Sequence, residues 1–440
     1  MENLKFDLSQ SGNKFKILNA TNGGPIKSKR GEGKAGPRNS SIHYKNARIP
    51  YARNHDSALL TVYGGPYSHD INRIFPNFDA DVNDPASYDF TCTDESILVC
   101  LEADTETFFR LGQSIEHQIK KHATLPPKDF KKWAQICEHI IRHYNEGWAD
   151  GFNLNIKYWE IWNEPDLDAD DSKNKRCWGG TKAEFIDFYE TAAKHLKSCF
   201  PDLKIGGPAF AWNKKWLEDF LSEMQKRNVP MDFFSWHIYA THPKWILEKA
   251  DYIQSMLDKY NFSDAENILD ELNYIKGWGG EEFTQSIKAI HGIRGAVFAL
   301  STICEAQHSV IDMLMYYDTR LSIYNGVFDF YTRQRLKGYY PLYWYGMFYD
   351  MEKEIPAENK VDDIFSLCGV DKDGKVLATV CYYVEEDDVA EEKTIKLDFG
   401  KTGEYEVYLL DKDHDGELID TTGDTTFTLK PLSALLIKEV

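Results

Sequence analysis

The 440-residue sequence contains no apolar run close to the roughly 18 residues that a bilayer-spanning helix needs, so no membrane partner is expected. Its first residues, Met-Glu-Asn-Leu-Lys-Phe-Asp, carry no basic stretch followed by an apolar core, so no secretory leader is read there and a cytoplasmic location is expected. The eight cysteines are irregularly spaced and none forms a C-x-x-C pair. That pattern argues against zinc ribbons and thioredoxin-like motifs and for reduced thiols packed as small hydrophobes, with a secreted, disulfide-bonded protein as the alternative. His139 and His143 are four apart on a helix, but Ile140 stands where a zincin motif needs Glu, so no metal site is expected. Basic residues are short as well. There are 51 Lys and Arg against 70 Asp and Glu, a net charge of −19, which excludes nucleic acid as an expected partner because phosphate binding rests on basic surface.

With 42% hydrophobic and 28% charged residues, the composition is that of a globular protein with ample length for a full core. From about residue 15 to 350, short β-rich runs alternate with amphipathic segments. Strands are expected at 15–20, 47–53, 106–111, 156–162, 203–207, 232–239, 266–271 and 311–316. Helices are expected at 94–103, 128–148, 181–199, 214–227, 243–259, 282–306 and 338–353; the one at 181–199 opens on a Thr181–Glu184 capping box. Strict alternation predicts a parallel sheet with helical crossovers, and this number of repeats suits a (β/α)8 TIM barrel spanning 14–353. Only the first repeat is irregular, since 21–46 has no helix pattern. After 354 the runs read as antiparallel strands between Gly and Asp turns, a C-terminal β-sandwich over 354–440 joined by a strand from 1–13. Asp411-Lys-Asp-His-Asp-Gly imitates the start of a calcium loop, but Thr422 stands where the bidentate Glu belongs, and a hairpin turn is favoured.

In such a barrel, catalytic groups sit where strands run into the following loops. Strand four ends in Tyr158-Trp-Glu-Ile-Trp-Asn-Glu-Pro-Asp, where Pro165 stops the strand and leaves Glu164 at its mouth. The tryptophans crowding that turn favour the neutral acid by desolvation, which a general acid needs. Strand seven ends in the pair Asp270 and Glu271, which alternation puts on opposite faces, so that only one can point into the mouth. Strands four and seven face each other across eight, and two carboxyls flanking a cavity are what glycoside hydrolysis requires. Glu160 shares the parity of Glu164 but lies deeper, as a structural partner for a barrel arginine such as Arg53 or Arg110.

The block Trp159-Glu-Ile-Trp-Asn-Glu-Pro resembles the acid/base signature of clan A glycoside hydrolases, most of all family 39, the β-xylosidases, α-L-iduronidases and relatives. Arg53-Asn-His55, Ile205-Gly-Gly-Pro-Ala and Ser235-Trp-His-Ile-Tyr extend the similarity, as does the sandwich behind the barrel. The resemblance implies a retaining exo-glycosidase, β-xylosidase-like, with Glu164 as acid/base and Glu271 as nucleophile, no metal and no cofactor. It further implies that Asn163 bonds the sugar hydroxyl beside the reacting carbon, that His237 and Tyr239 hold the nucleophile and the sugar, and that His55 binds the terminal sugar. The xylosidases have Thr-Glu-Phe-Asn around the nucleophile; Asp270-Glu-Leu-Asn here is closer to the iduronidase pattern. Trp178, Trp278, Tyr317 and Trp245 lie in loops at the same face, where an aromatic ring either stacks on sugar or packs the loop. The rival reading is a catalytically silent glycan-binding or assembly protein on the same fold.

Charge is uneven. Residues 351–440 hold 23 acidic and 10 basic side chains, whereas 27–53 holds eight Lys or Arg against Glu32 alone. The basic stretch, with Lys27, Lys29, Arg30, Lys34 and Arg38 in the first βα loop, is either a solvated loop, a contact with an acidic neighbour in a homo-oligomer, or a closure over the pocket that attracts an acidic or heavily hydroxylated glycan.

Overall fold

The computed structural model describes residues 1–10, 12–25, 40–54, 69–320 and 322–440. His55 and the basic stretch from Lys27 to Arg38 therefore lie outside the described residues. Eight strands, Ile17–Asn22, Tyr51–Arg53, Glu106–Leu111, Tyr158–Ile161, Lys204–Phe210, Phe233–Ala240, Glu266–Tyr274 and Met313–Tyr316, close into a barrel, referred to below as strands one to eight. Every neighbouring pair is parallel, and strand eight returns to pair with strand one. The fold is the TIM barrel that the alternation predicts.

The helices form where the apolar spacing places them. Phe130–Glu146 starts at Asp129, whose carboxylate accepts from the Lys131 and Lys132 amides, and stops at Gly147 with φ 74°. Its inner stripe, including Trp133, Cys137, Ile140, Ile141 and Tyr144, is buried. Lys182–Cys199 opens on the Thr181–Glu184 capping box. One helical expectation is corrected. The periodicity across 282–306 reads as a single helix, but the chain makes two, Gly280–Ile290 and Ile293–Gln307, bent by 73°. Gly292 is extended between them, and the second helix comes so close that a Cβ at Gly295 would meet the Ala289 carbonyl at 2.7 Å. The first repeat contains, among its described residues, the short helix Ser41–Asn46.

The barrel interior is layered. Its lower end is plugged by Ala20, Tyr51, Phe108, Tyr158, Phe233, Ile268, Met313 and Met315. Above the plug the inward residues turn polar: Asn22, Arg53, Glu160, Ser235 and Asp270 are all fully buried. The cavity opens above that layer.

Two antiparallel-rich sheets lie behind the barrel. One has six strands, in the order Lys353–Glu354, Ile364–Val370, Val376–Tyr382, Ser433–Glu439, Tyr405–Leu410 and Asp415–Thr422. The other has three, in the order Glu2–Lys5, Lys393–Asp398 and Thr426–Leu429, and the first two pair in parallel. Their facing sides share a core of residues such as Leu4, Phe6, Val370, Val380, Leu397 and Ile437. Helix Ile293–Gln307 packs between strand seven of the barrel and this sandwich, and Arg294 ties the two by donating to the Val384 carbonyl at 2.8 Å. Asp411 caps the hairpin turn by accepting from the Asp413 and His414 amides, each at 2.8 Å. All eight cysteines are free thiols.

Candidate active site

Strand four leaves the barrel through a turn in which Trp162 and Glu164 both have positive φ, 74° and 46°, a region sparsely populated by residues with a Cβ. The turn is pinned from both sides. Trp162 N donates to Leu111 O at 2.7 Å and Glu164 N to Ala209 O at 3.0 Å. The Trp162 indole, buried among Trp133, Trp178 and Phe188, donates to Cys177 O at 2.9 Å. The result is a Glu164 side chain, 15% exposed, directed into a cavity of about 1120 Å³.

Glu271 reaches the same cavity from strand seven by a route that alternation does not foresee. Ile268 belongs to the barrel plug and Leu269 to the outer core, so Asp270 has the inward parity and Glu271 the outward one. A register shift intervenes: Trp236 pairs with Leu269, but His237 pairs with Glu271, leaving Asp270 as an extra residue. Both carboxylates therefore lie on the inner side of the barrel, correcting the expectation that alternation puts them on opposite faces, yet only one of the two reaches the mouth, as expected. Asp270 sinks into the polar layer, and Glu271 alone of the two lines the cavity.

A carboxylate oxygen of Glu164 and one of Glu271 lie within 4.8 Å of each other, with His237 between them. His237 Nδ1 is 2.9 Å from Glu164 Oε1 and 3.4 Å from Glu271 Oε2. Burial pulls His237 down to about 4, so the ring is neutral at pH 7, and its placement suits an Nδ1–H donated to Glu164. Glu271 is pushed up to about 7, by burial first and by the Glu164 charge, against His237, Arg53 and the Tyr239 hydroxyl. Tyr239 donates its hydroxyl directly to Glu271 Oε1.

Arg53 on strand two anchors the floor. It bonds Glu160 Oε2 at 2.8 Å, Asp270 Oδ2 at 3.0 Å, Asn22 Oδ1 at 3.0 Å and, more distantly, Glu271 Oε2 at 3.5 Å. Its Nη2 also donates to Asn163 Oδ1 at 2.7 Å, which leaves the Asn163 amide NH2 as the group available to a bound molecule. Burial would raise Glu160, but Arg53, Asp270 and Ser235 hold it below its usual range. Asp270 goes the other way, well up, through burial and the Glu160 charge. Glu160 thus pairs with Arg53 rather than Arg110, which is bound to Asp70 at 3.0 Å.

The tryptophans divide. Trp278 lines the cavity with its ring edge on Tyr239, centroids 4.8 Å apart, and Tyr317 also lines it, with its ring centroid 6.1 Å from that of Tyr239. Trp178 does not. It is 4% exposed, packed on Trp162, Phe185 and Phe188, with its indole N–H spent on Thr181 O, so the expectation that it binds substrate is corrected to a role in the core. The structure adds wall residues that sequence reasoning did not single out: Phe210, Trp212, Lys249 and Tyr252. Lys249 lies over the Phe210 and Trp236 rings, donates to the carbonyls of Ala211 and His237, and is lowered to about 8 by burial. Aromatic side chains at and just beyond the end of strand five were the available signal for Phe210 and Trp212.

By donor type and spacing, two trios among the described residues could hold a metal ion. One is Glu164, His237 and Glu271 itself; the other is Glu138, His195 and Cys199, where Arg142 already bridges Glu138 at 2.9 Å.

Comparison with known proteins finds a family model that matches part of the chain. The model for glycosyl hydrolases family 39 matches residues 65–275, which include Glu164 and Glu271. A β-xylosidase of Geobacillus stearothermophilus is 34% identical over 120 residues, 26% of this chain and 22% of that protein. A β-xylosidase of Caldicellulosiruptor saccharolyticus is 33% identical over 116 residues, with the same shares, so the match spans about a fifth of the length of these relatives. The crystal structure of a glucosidase from Croceicoccus marinus superposes with a TM-score of 0.78 over 100% of this chain and 98% of that one; at 21% identity the likeness is one of fold.

Proposed function

We infer that this chain, similar to the glycosyl hydrolases of family 39, is a retaining exo-glycosidase that removes a terminal sugar by double displacement. The observation that carries this reading is the pair Glu164 and Glu271, with carboxylate oxygens within 4.8 Å of each other across one cavity. A retaining pair stands about 5–5.5 Å apart, whereas an inverting pair leaves about 6.5–9.5 Å for a water. In the first step Glu271 attacks the anomeric carbon as the bond to the leaving oxygen breaks, and the proton on Glu164 passes to that oxygen. In the second, Glu164 takes a proton from water, whose oxygen displaces Glu271 and releases the sugar.

The surroundings support the assignment. Asn163 offers an N–H and Tyr239 a hydroxyl beside Glu271, and the Arg53 layer closes the cavity below. The aromatic wall of Tyr239, Trp278 and Tyr317 suits a terminal ring held against Glu271. A pentopyranose of the xylose type is the glycone we propose, because two relatives more than 30% identical over the matched segment are β-xylosidases.

The test is an aryl-glycoside panel of xylosides, glucosides, galactosides, arabinofuranosides and iduronides, followed by proton NMR of the first product formed. Retained anomeric configuration, and a 2-deoxy-2-fluoro glycoside trapped covalently on Glu271, are the expected results. An inverted product would falsify the mechanism; silence across the panel would turn the reading to a glycan-binding protein.

A further inference from the structure

Besides Trp278 on the Tyr239 wall, which is 62% exposed, two more indoles stand in the open at the mouth of the cavity: Trp212 is 63% exposed and Trp245 is 45% exposed. Large rings left bare on a concave, polar-rimmed wall mark a binding surface more often than chance packing does. Here the backbone beneath them is built with unusual care. Trp212 follows strand five, and the amides of Ala211, Trp212 and Asn213 all donate to the buried Asp166 carboxylate at 2.8 Å. From the opposite side Lys249 donates to the Ala211 carbonyl. Lys249 is on helix Pro243–Lys259, and Trp245 lies four residues before it, hence one turn along the same face. Tyr252 continues that face, with the Lys214 ammonium 4.6 Å from its ring centre. The exposed rings are thus mounted on rigid supports.

Their position relative to the two carboxylates sets what they would hold. Asp166 and Leu167 follow Glu164 after Pro165 alone, and the Trp212 indole N–H points to Leu167 O at 3.3 Å. The Trp278–Tyr239–Tyr317 wall lies on the side of Glu271. Since the group that protonates the leaving oxygen stands beside the leaving group, the Trp212–Trp245 wall is the leaving-group side.

We propose that Trp212 and Trp245 form a saccharide platform, so that the leaving group this enzyme is built for is a further chain of pyranose rings. Rings of this kind present flat C–H faces to indoles and hydroxyls to the neighbouring Lys214, Glu248 and Arg176, all of which line the cavity. The volume, about 1120 Å³, is beyond what one terminal sugar fills, being at the upper limit of drug-sized pockets, about 300–1,000 Å³. The inference rests on the glycosidase reading above for its assignment of sides.

The test compares two substrates that share the glycone found by the aryl panel: the glycosyl fluoride, whose leaving group touches no platform, and a trisaccharide. Trp212→Ala and Trp245→Ala should each raise KM for the trisaccharide about tenfold and change KM for the fluoride far less. Equal losses on both substrates, or none on the trisaccharide, would overturn the platform. A fluorescence titration separates this outcome from a failure of the enzymatic reading. Xylo- and cello-oligosaccharides should quench the intrinsic fluorescence of the Glu164→Gln protein, and Trp212→Ala should remove most of that quenching. If the native protein turned over no fluoride, the glycosidase reading would fall, while Trp212-dependent quenching would still support a saccharide platform and its absence would overturn it.

Discussion

Asp270 and Glu271 are adjacent in the chain, yet both carboxylates face Arg53, Asp270 Oδ2 at 3.0 Å and Glu271 Oε2 at 3.5 Å. Glu160 approaches the same guanidinium at 2.7 Å. Three buried carboxyls around one cation cannot all be charged at low cost, and they settle the conflict by separating: Glu160 is held below its usual range, Asp270 is driven well above it, and Glu271 is left near 7. The bulge that turns Glu271 into the cavity therefore also makes it basic enough to change charge near neutrality.

That has a consequence for stability. The folded protein holds a proton on Glu271 up to about pH 7, whereas in the unfolded chain the group loses it near its usual value of about 4.3. Stability is thus intact below about pH 4.3, declines as pH rises through this window and remains lower above 7. Replacing Glu271 by Gln removes the charged state. Thermal melts should show a gain for Glu271→Gln at pH 8 of up to roughly 3 kcal/mol that vanishes near pH 4. A gain of the same size at both pH values would mean that the charge is not its source.

Tyr239→Phe keeps the ring on which Trp278 packs and removes only the hydroxyl that Glu271 accepts. That bond lowers the Glu271 pKa, so without it the acid limb of the kcat/KM profile should move to higher pH. The rate at the optimum should fall roughly 10- to 100-fold, the worth of a hydrogen bond to a charged group. A fall in rate with an unmoved acid limb would assign Tyr239 to packing alone.

Much of this architecture was legible from periodicity, and the reasons differ from place to place. The barrel follows from alternation, because a strand buried on both faces and an amphipathic helix have distinct patterns. Helix Lys182–Cys199 was legible down to its capping box, since both partners lie in one short segment. The break at Gly292 was not, because the apolar spacing runs on across it and only the close approach at Gly295 separates the two helices. Glu164 was marked by Pro165 and the clustered tryptophans. Glu271 was marked by its motif, but its inward direction depends on pairing with strand six, a non-local fact. Trp178 and Trp278 look alike in sequence, both in loops after strands; only the Phe185 and Phe188 rings of the next helix decide that Trp178 turns inward.

The charged layer makes its own prediction. Arg53→Met strands the ionised Glu160 with only Ser235 Oγ, at 2.6 Å, and the Asp270 carboxyl beside it, and should cost about 3–5 kcal/mol in a urea melt. Glu160→Gln together with Arg53→Met removes the buried charge with its partner, so the double variant should be more stable than the sum of the two single losses implies. Strict additivity would show that Arg53 acts through Asn22 and Asn163 instead of through Glu160.

Asp166 accepts three backbone amides on two oxygens: Ala211 N on Oδ1, and Trp212 N and Asn213 N on Oδ2. A carboxylate is suited to this because every lone pair is an acceptor, whereas an Asn must turn its NH2 toward at least one of those donors. Asp166→Asn therefore leaves buried donors facing a donor, a loss of about 1–3 kcal/mol for each amide so stranded. The loss should be local first. By hydrogen exchange, the amides of Ala211, Trp212 and Asn213 should exchange faster in Asp166→Asn, while the Glu164 amide, which donates to Ala209 O instead, keeps its protection. Protection that drops equally across all four amides would mean that Asp166 supports the barrel rim as a whole, and unchanged protection would mean that the loop carrying Trp212 is held by Asn213 and Lys249 without it.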